Sequence, residues 1–139
     1  MSYLLDTNVI SELFKSQPNK HVVSWIDQIA EPDIFLSVLT IGELRKGIEK
    51  IQPGSKKSKL IVWLEQELLP RFAHRLLDIN IPVVERWGRL LAASKQSLPA
   101  IDSLLAATAL HYDLCLVTRN TADFIIPTLT VFNPWEWTL

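Results

Sequence analysis

The reading of this chain turns on Tyr3-Leu4-Leu5-Asp6-Thr7-Asn8-Val9-Ile10-Ser11-Glu12. Tyr3-Leu4-Leu5 is a short apolar run of the kind that forms a buried strand, and Asp6 ends it at once. A helix is expected to follow from about Asn8 to Phe14. A strand that runs straight into a helix, with a carboxylate at the junction, is the first half of a strand–helix–strand unit.

Working outward, the alternation continues. Asn19 can cap a second helix whose apolar stripe holds Val22, Trp25, Ile26 and Ile29. Ile34-Phe35-Leu36-Ser37-Val38 reads as the next strand, and a helix is expected from Thr40 to about Ile51, stopped by Gln52-Pro53-Gly54. Lys56 to about Leu69 places Leu60, Trp63, Leu64 and Leu68 on one side of a helix that Pro70 ends or kinks. Arg75-Leu76-Leu77 is a short strand. Helices are expected over Ile81–Ser94, with Pro82 in the first turn, and from Pro99 to about His111. Leu114–Val117 and Leu129–Phe132 complete the strands. Apolar strands separated by amphipathic helices predict an α/β fold, a parallel sheet covered on both faces, as one domain over residues 1–139.

Bulk properties narrow the function. The chain has 139 residues, 48% of them hydrophobic, which suits one core and excludes disorder as a description of the whole. No apolar run approaches the ~20 residues of a membrane span. The opening stretch has no basic region and carries an acid, unlike a secretory signal. Cys115 is the only cysteine, which excludes an internal disulfide and a cysteine-based zinc site; the cytoplasm is the expected compartment. A net charge of −1 argues against a general nucleic-acid binder. Yet Arg45–Arg75 carries eight Lys/Arg and three Asp/Glu, while the remainder carries six and twelve. Such a basic middle is either a solvated helix face or a place to grip a polyanion.

In open parallel sheets, ligands bind outside the carboxyl ends of the strands. Asp6 directly follows the first strand. Glu43 lies in the first turn of the helix after the second strand, Asp102 at the start of the Pro99 helix, and Asp123 a few residues past Leu114–Thr118. Each has a local explanation. Thr40-Ile41-Gly42-Glu43 fits a capping box, Asp102 suits a helix N-terminus, Asp123 can belong to a helix start, and Asp6 can begin a turn. Together they make a different case. Carboxylates gathered at one sheet edge repel each other unless a cation neutralises them, and hard oxygen donors suit Mg²⁺ or Mn²⁺. Other residues offer less. His21, His74 and His111 lack ligand spacing, no glycine-rich phosphate loop exists, and Ser11, Ser37 and Ser94 lack a nucleophile elbow. Trp25, Trp63 and Trp87 lie on apolar stripes; Trp135 and Trp137 are expected to pin the C-terminal segment.

Five blocks in order carry a family resemblance across nearly the whole chain: Leu4–Glu12, Ser37–Gly47, Leu98–Ala109, Val117–Phe124 and Phe132-Asn133-Pro134-Trp135. They resemble PIN-domain ribonucleases of the VapC/FitB toxin type. The resemblance implies a Rossmann-like parallel sheet of about five strands and metal-dependent cleavage of RNA. It also implies a toxin, expected as a homodimer, neutralised by a small antitoxin that blocks the site, with operator DNA contacted only through the antitoxin complex. Asp6, Glu43, Asp102 and Asp123 occupy the acidic positions of that pattern, Asp6 and Asp102 as the most direct ligands. Asn8 and Thr118 match polar positions near them. Arg45, Lys46, the Lys56–Lys59 cluster and Arg119 are candidates for phosphate contacts. The middle, from Ile51 to about Arg75, is where such proteins differ most.

Two rivals remain at this stage. Asp6-Thr7-Asn8 superficially resembles the strand end of an aspartyl-phosphate phosphatase or receiver domain. Those sites use a late lysine, and none follows Lys95; the phosphatase pattern also wants an acid where Asn8 stands. A degenerate, non-enzymatic partner of an antitoxin would not be expected to keep all four acids.

Overall fold

β1 (Tyr3–Leu5) is the centre of the sheet, and its two leucines face opposite ways because strand side chains alternate. The structure, a computed structural model describing residues 1–139, continues with α1 (Thr7–Phe14), α2 (Lys20–Gln28), β2 (Ile34–Ser37) and α3 (Val38–Glu49). Then come α4 (Ser55–Val62), α5 (Leu69–Arg71), β3 (Leu76–Leu77), α6 (Ile81–Ala93), α7 (Ala100–His111), β4 (Cys115–Val117) and β5 (Val131–Phe132). The five strands are all parallel, in the order β3-β2-β1-β4-β5. The expected α/β fold and strand count are thus observed. Tyr3 pairs with Ile34 on one side and with Cys115 on the other, so the order reverses at β1. That reversal opens a crevice beyond the carboxyl ends of β1 and β4.

Two cores sandwich the sheet. Leu4 and Leu116 pack with Leu105, Ala106, Ala109 and Phe124 under α7. Leu5 and Val117 pack with Val9, Ile10, Trp25, Leu64 and Phe72 under the other helices. Leu4, Leu64, Phe72, Leu105 and Leu116 are fully enclosed, so truncating any of the leucines to alanine should cost about 2–5 kcal/mol.

Two local expectations are corrected, at the third helix and at the last strands, while a third, that Pro70 ends or kinks the long middle helix, holds, since that helix stops at Arg71. The third helix begins at Val38, capped by Ser37, whose hydroxyl accepts from the Leu39 N–H; Thr40 and Glu43 are inside the helix and form no capping box. The long middle helix passes through Pro70 to Arg71. It does so by widening into a π turn at Trp63–Leu68, in which the Leu69 N–H reaches back to the Leu64 carbonyl. A proline lacks the N–H for a regular bond and crowds the carbonyl four residues back, and the wider turn relieves both. The last strands are shorter than expected, beginning at Cys115 and Val131. The Asn19 cap and the Pro82 first turn are as read, with Asn19 accepting from the His21 and Val22 N–H groups.

Part of the basic middle is spent on structure. Arg71 grips Glu31 with two hydrogen bonds of 2.8 Å, and Arg75 adds a third ion-pair contact while donating to the Glu31 and Ile34 carbonyls. The Arg71 hydrogen bonds, with help from Arg75, hold the Glu31 carboxyl at about 2. This clamp joins the segment before β2 to the one before β3, and so sets those strands side by side. No helix is long and apolar enough to cross a membrane.

Candidate active-site cleft

Asp6 lies where β1 becomes α1 and is 7% exposed. Its backbone N–H bonds to Val117 at 2.8 Å, so the β1–β4 ladder runs directly into the site. One carboxylate oxygen caps α1 by accepting the Thr7 N–H at 2.7 Å. The other accepts the Thr118 hydroxyl at 2.8 Å and, at 3.4 Å, the Asn8 amide. Thr118 is fully buried and fully used: it donates to Asp6 and accepts from Asn8 at 3.2 Å and from the Asn120 N–H at 3.1 Å.

Glu43 comes from α3 and is tied to α1 instead of its own N-terminus. The Thr7 hydroxyl donates to its carboxylate at 2.6 Å and lies 3.2 Å from the Thr40 hydroxyl. Asp102, half-buried, sits in the first turn of α7, where the aligned peptide dipoles favour an anion. These three acids, with Asn8, Ser11, Glu12, Lys15, Arg119, Asn120 and Trp135, line a cleft of about 460 Å³. Asp123 does not line it. It is exposed on the short 3₁₀ turn Thr121–Phe124, while the neighbouring Asn120 is part of the cleft wall.

The electrostatics match this placement. Burial pushes the Asp6 carboxyl above the usual carboxylate range, against the lowering effect of Thr118 and the Thr7 N–H, and the charges of Glu43 and Asp123 push the same way. Asp102 is raised by burial first, then by Asp6, Asp123 and Glu43. Burial and the surrounding negative charge therefore disfavour the ionised forms of Asp6 and Asp102, which a cation would offset. No three acidic, histidine or cysteine side chains form a ready-made cage. Mg²⁺ does not require one, since it takes one or two carboxylates and keeps several waters. An all-oxygen donor set at a partly buried, mutually repelling cluster fits Mg²⁺ or Mn²⁺.

A PIN-domain family model matches residues 3–125. The chain belongs to the PIN-domain family. Toxin FitB of Neisseria gonorrhoeae is 42% identical over 136 residues, covering 96% of this chain and 98% of that one. VapC ribonuclease Y4jK of Sinorhizobium fredii is 37% identical, with 96% and 97% covered. The crystal structure of FitAcB from Neisseria gonorrhoeae superimposes with a TM-score of 0.90 at 41% identity, covering 96% of this chain and 99% of that one.

Within this PIN domain, the residues expected at the site separate into two sets. Asp6, Asn8, Glu43, Asp102, Thr118 and Arg119 converge on the cleft or its wall. Arg45 does not: it bonds Glu65 at 2.7 Å and lies 3.9 Å from Glu49. Lys57 likewise pairs with Glu49. Lys46 and Lys56 line two neighbouring hollows that share Glu43 with the cleft. His21 is structural, its ring 2.7 Å from the Trp137 carbonyl, which helps fasten the C-terminal segment. Glu12, Lys15, Asn120 and the cleft-facing role of Trp135 escaped the sequence reading. Glu12 stands four residues after Asn8, which puts both on one face of α1, so helical spacing was the available signal. Glu12 is nearly buried and held below the usual range, chiefly by the Lys15 hydrogen bond at 2.9 Å.

Proposed function

We propose that this protein is a metal-dependent endoribonuclease and the toxin of a two-component toxin–antitoxin pair. The observation that carries the reading is the shared cleft of Asp6, Asp102 and Glu43, in which two carboxyls are raised by burial and by one another's charge. The names of the relatives, a toxin and a VapC ribonuclease, supply the substrate class and the biological role.

In this mechanism Asp6 and Asp102 would hold the cation, Mg²⁺ with Mn²⁺ as a substitute. When bound, the ion would supply charge neutralisation at the phosphate and a lowered pKa for the attacking water. Thr118, Asn8 and the Thr7 N–H fix the Asp6 carboxylate in one orientation, and the Thr7 hydroxyl fixes Glu43 beside it. Glu43 orients the attacking water and accepts its proton. Asp123 acts at longer range, through water and through its charge. In-line attack forms a P–O bond from the water oxygen as the P–O bond to the leaving ribose oxygen breaks, and that oxygen takes a proton from solvent. The partners in this reading are RNA, a small antitoxin that blocks the cleft, and a second copy of the chain; operator DNA is reached only through the antitoxin complex. The exposed Ile81 and Val84 of α6 offer apolar surface for self-association. The cytoplasm is the compartment that supplies these partners.

The decisive experiment incubates purified protein with RNA in Mn²⁺ and in chelator, alongside Asp6→Asn, and maps the new RNA ends formed in cells after induction. Metal-dependent ends present for wild type and absent for Asp6→Asn are expected. A wild-type protein that leaves RNA intact in Mn²⁺ overturns the reading.

A further inference from the structure

Arg45, Lys57, Arg71 and Arg75 each have a carboxylate partner. Arg119 is different. It is exposed and lines the acidic cleft, yet its hydrogen bonds run through its backbone: its N–H donates to Asn8 at 3.3 Å, and its carbonyl accepts from the Asn133 amide at 3.5 Å. The nearby Glu12 is already taken by Lys15 and by the Asn19 N–H at 2.8 Å. The guanidinium instead lies over the Trp135 ring, 5.0 Å from its centroid. Trp135 stands on the short turn Pro134–Glu136, capped by Asn133 at 2.9 Å, so one C-terminal segment holds both the backbone and the side chain of Arg119. The guanidinium N–H groups make no hydrogen bond of their own, and such a planar fork can bind a phosphate with two parallel hydrogen bonds while its charge rests over the ring.

We propose that Arg119 binds the RNA phosphodiester next to the one being cut, and that Trp135 is the positioning residue that holds the guanidinium for it. The proposal rests on the nuclease reading above. An acid-lined cleft repels the polyanion it must admit, and a cation held on its wall counters that repulsion. The docked indole also saves the side-chain freedom that a loose arginine would lose on binding.

The test combines Arg119→Gln, Trp135→Ala and Trp135→Phe with a short labelled single-stranded RNA. Initial rates in Mn²⁺ separate KM from kcat. Binding is read by anisotropy over a salt series in an Asp102→Asn background, without added metal, so that the RNA stays intact during the measurement. Arg119→Gln should raise KM and Kd about tenfold, leave kcat within about twofold, and lower the salt slope by about 0.7, the value for one contact to a single strand. Trp135→Ala should raise KM severalfold with an unchanged slope, and Trp135→Phe, which keeps an aromatic face, should restore most of it. In the active background, every variant should keep the melting rise on Mn²⁺ addition. Arg119→Gln with wild-type KM and salt slope overturns the subsite while leaving the nuclease intact. So do losses that merely track a lowered melting temperature, or a defect confined to antitoxin binding. A wild type that cuts no RNA removes the nuclease reading itself, and the subsite with it.

Discussion

The Thr118 hydroxyl donates to the Asp6 carboxylate at 2.8 Å, joining the ends of two adjacent parallel strands whose residues lie 112 positions apart in sequence. Because Thr118 is buried and both lone pairs of its hydroxyl accept, from Asn8 and from the Asn120 N–H, its proton is directed at Asp6 and fixes that carboxylate. Thr118→Val should therefore weaken Mn²⁺ binding about 10- to 100-fold, the usual penalty for losing a group that orients a metal ligand. It should also raise the Asp6 carboxyl further, since the hydrogen bond favours the charged form. The onset of Mn²⁺ binding then moves to higher pH. Thr118→Ser should recover most of both effects. Calorimetric titration at several pH values checks this, and equal affinity for Val and Thr at position 118 would show that Asp6 needs no such support.

The acids should differ in weight. Asp6→Asn and Asp102→Asn each remove a charged group from the cleft and should lower RNA cleavage by at least about a hundredfold, consistent with several kcal/mol of lost charge stabilisation. Asp123→Asn should cost clearly less, because Asp123 is exposed outside the cleft lining and reaches the others through its field. Raising the salt concentration should narrow the Asp123 effect and leave the other two unchanged. Cleavage rates for the three variants at two salt concentrations decide it. An Asp123→Asn defect as deep as that of Asp6→Asn would place its carboxylate at the ion.

These contrasts trace what the sequence could disclose. Asp6, Asp102 and the strand–helix alternation were legible because each depends on neighbours within a few residues. Arg45, expected as a phosphate contact, is paired with Glu65, a partner 20 residues further on that local spacing does not reveal. The capping-box reading of Glu43 fails because the helix starts at Val38 under the Ser37 cap and because the Thr7 hydroxyl, 36 residues earlier, donates to that carboxylate. Strand order and the Arg119–Trp135 stack are pairings between distant segments, which local spacing does not encode.

The cleft should leave a stability signature without any substrate. The carboxyls of Asp6 and Asp102 are raised in the folded state, so their protonated forms favour the fold. Their contribution is full below the unfolded carboxylate value of about 3.9 and is lost as pH rises through the folded values. In chelator, wild type should thus lose stability relative to Asp102→Asn as pH is raised from about 4 toward neutrality. Mn²⁺ should reverse the ranking at neutral pH, because it binds the folded wild type and stabilises it by mass action. Melting curves for both proteins, with chelator and with Mn²⁺, test the claim. An equal rise in both melting temperatures would mean that Asp102 is not part of the metal site.

The last prediction concerns the clamp that sets β2 against β3. Arg75 donates to the Ile34 and Arg71 carbonyls at 2.7 Å, pairs with Glu31, and lies 4.5 Å over the Phe72 ring with its side chain 15% exposed. Arg75→Ala leaves several carbonyls without their donor and should lower stability by about 2–4 kcal/mol. Arg75→Lys should recover only part, since a single ammonium cannot reproduce the fork or the stacking. Both should shift the urea midpoint at constant m, because the surface exposed on unfolding is unchanged. Glu31 separates charge from packing. Its carboxyl is held at about 2 against an ordinary 4.5, so its share of stability is present above 4.5 and lost as pH falls toward 2. Glu31 is about half exposed, and screening limits that share to about 1 kcal/mol. The gap between wild type and Glu31→Gln should therefore be small at neutral pH, smaller in high salt, and closed near pH 2. A gap that stays constant across this range would show that the clamp works through the arginines' backbone hydrogen bonds and their packing on Phe72, with the ion pair adding nothing.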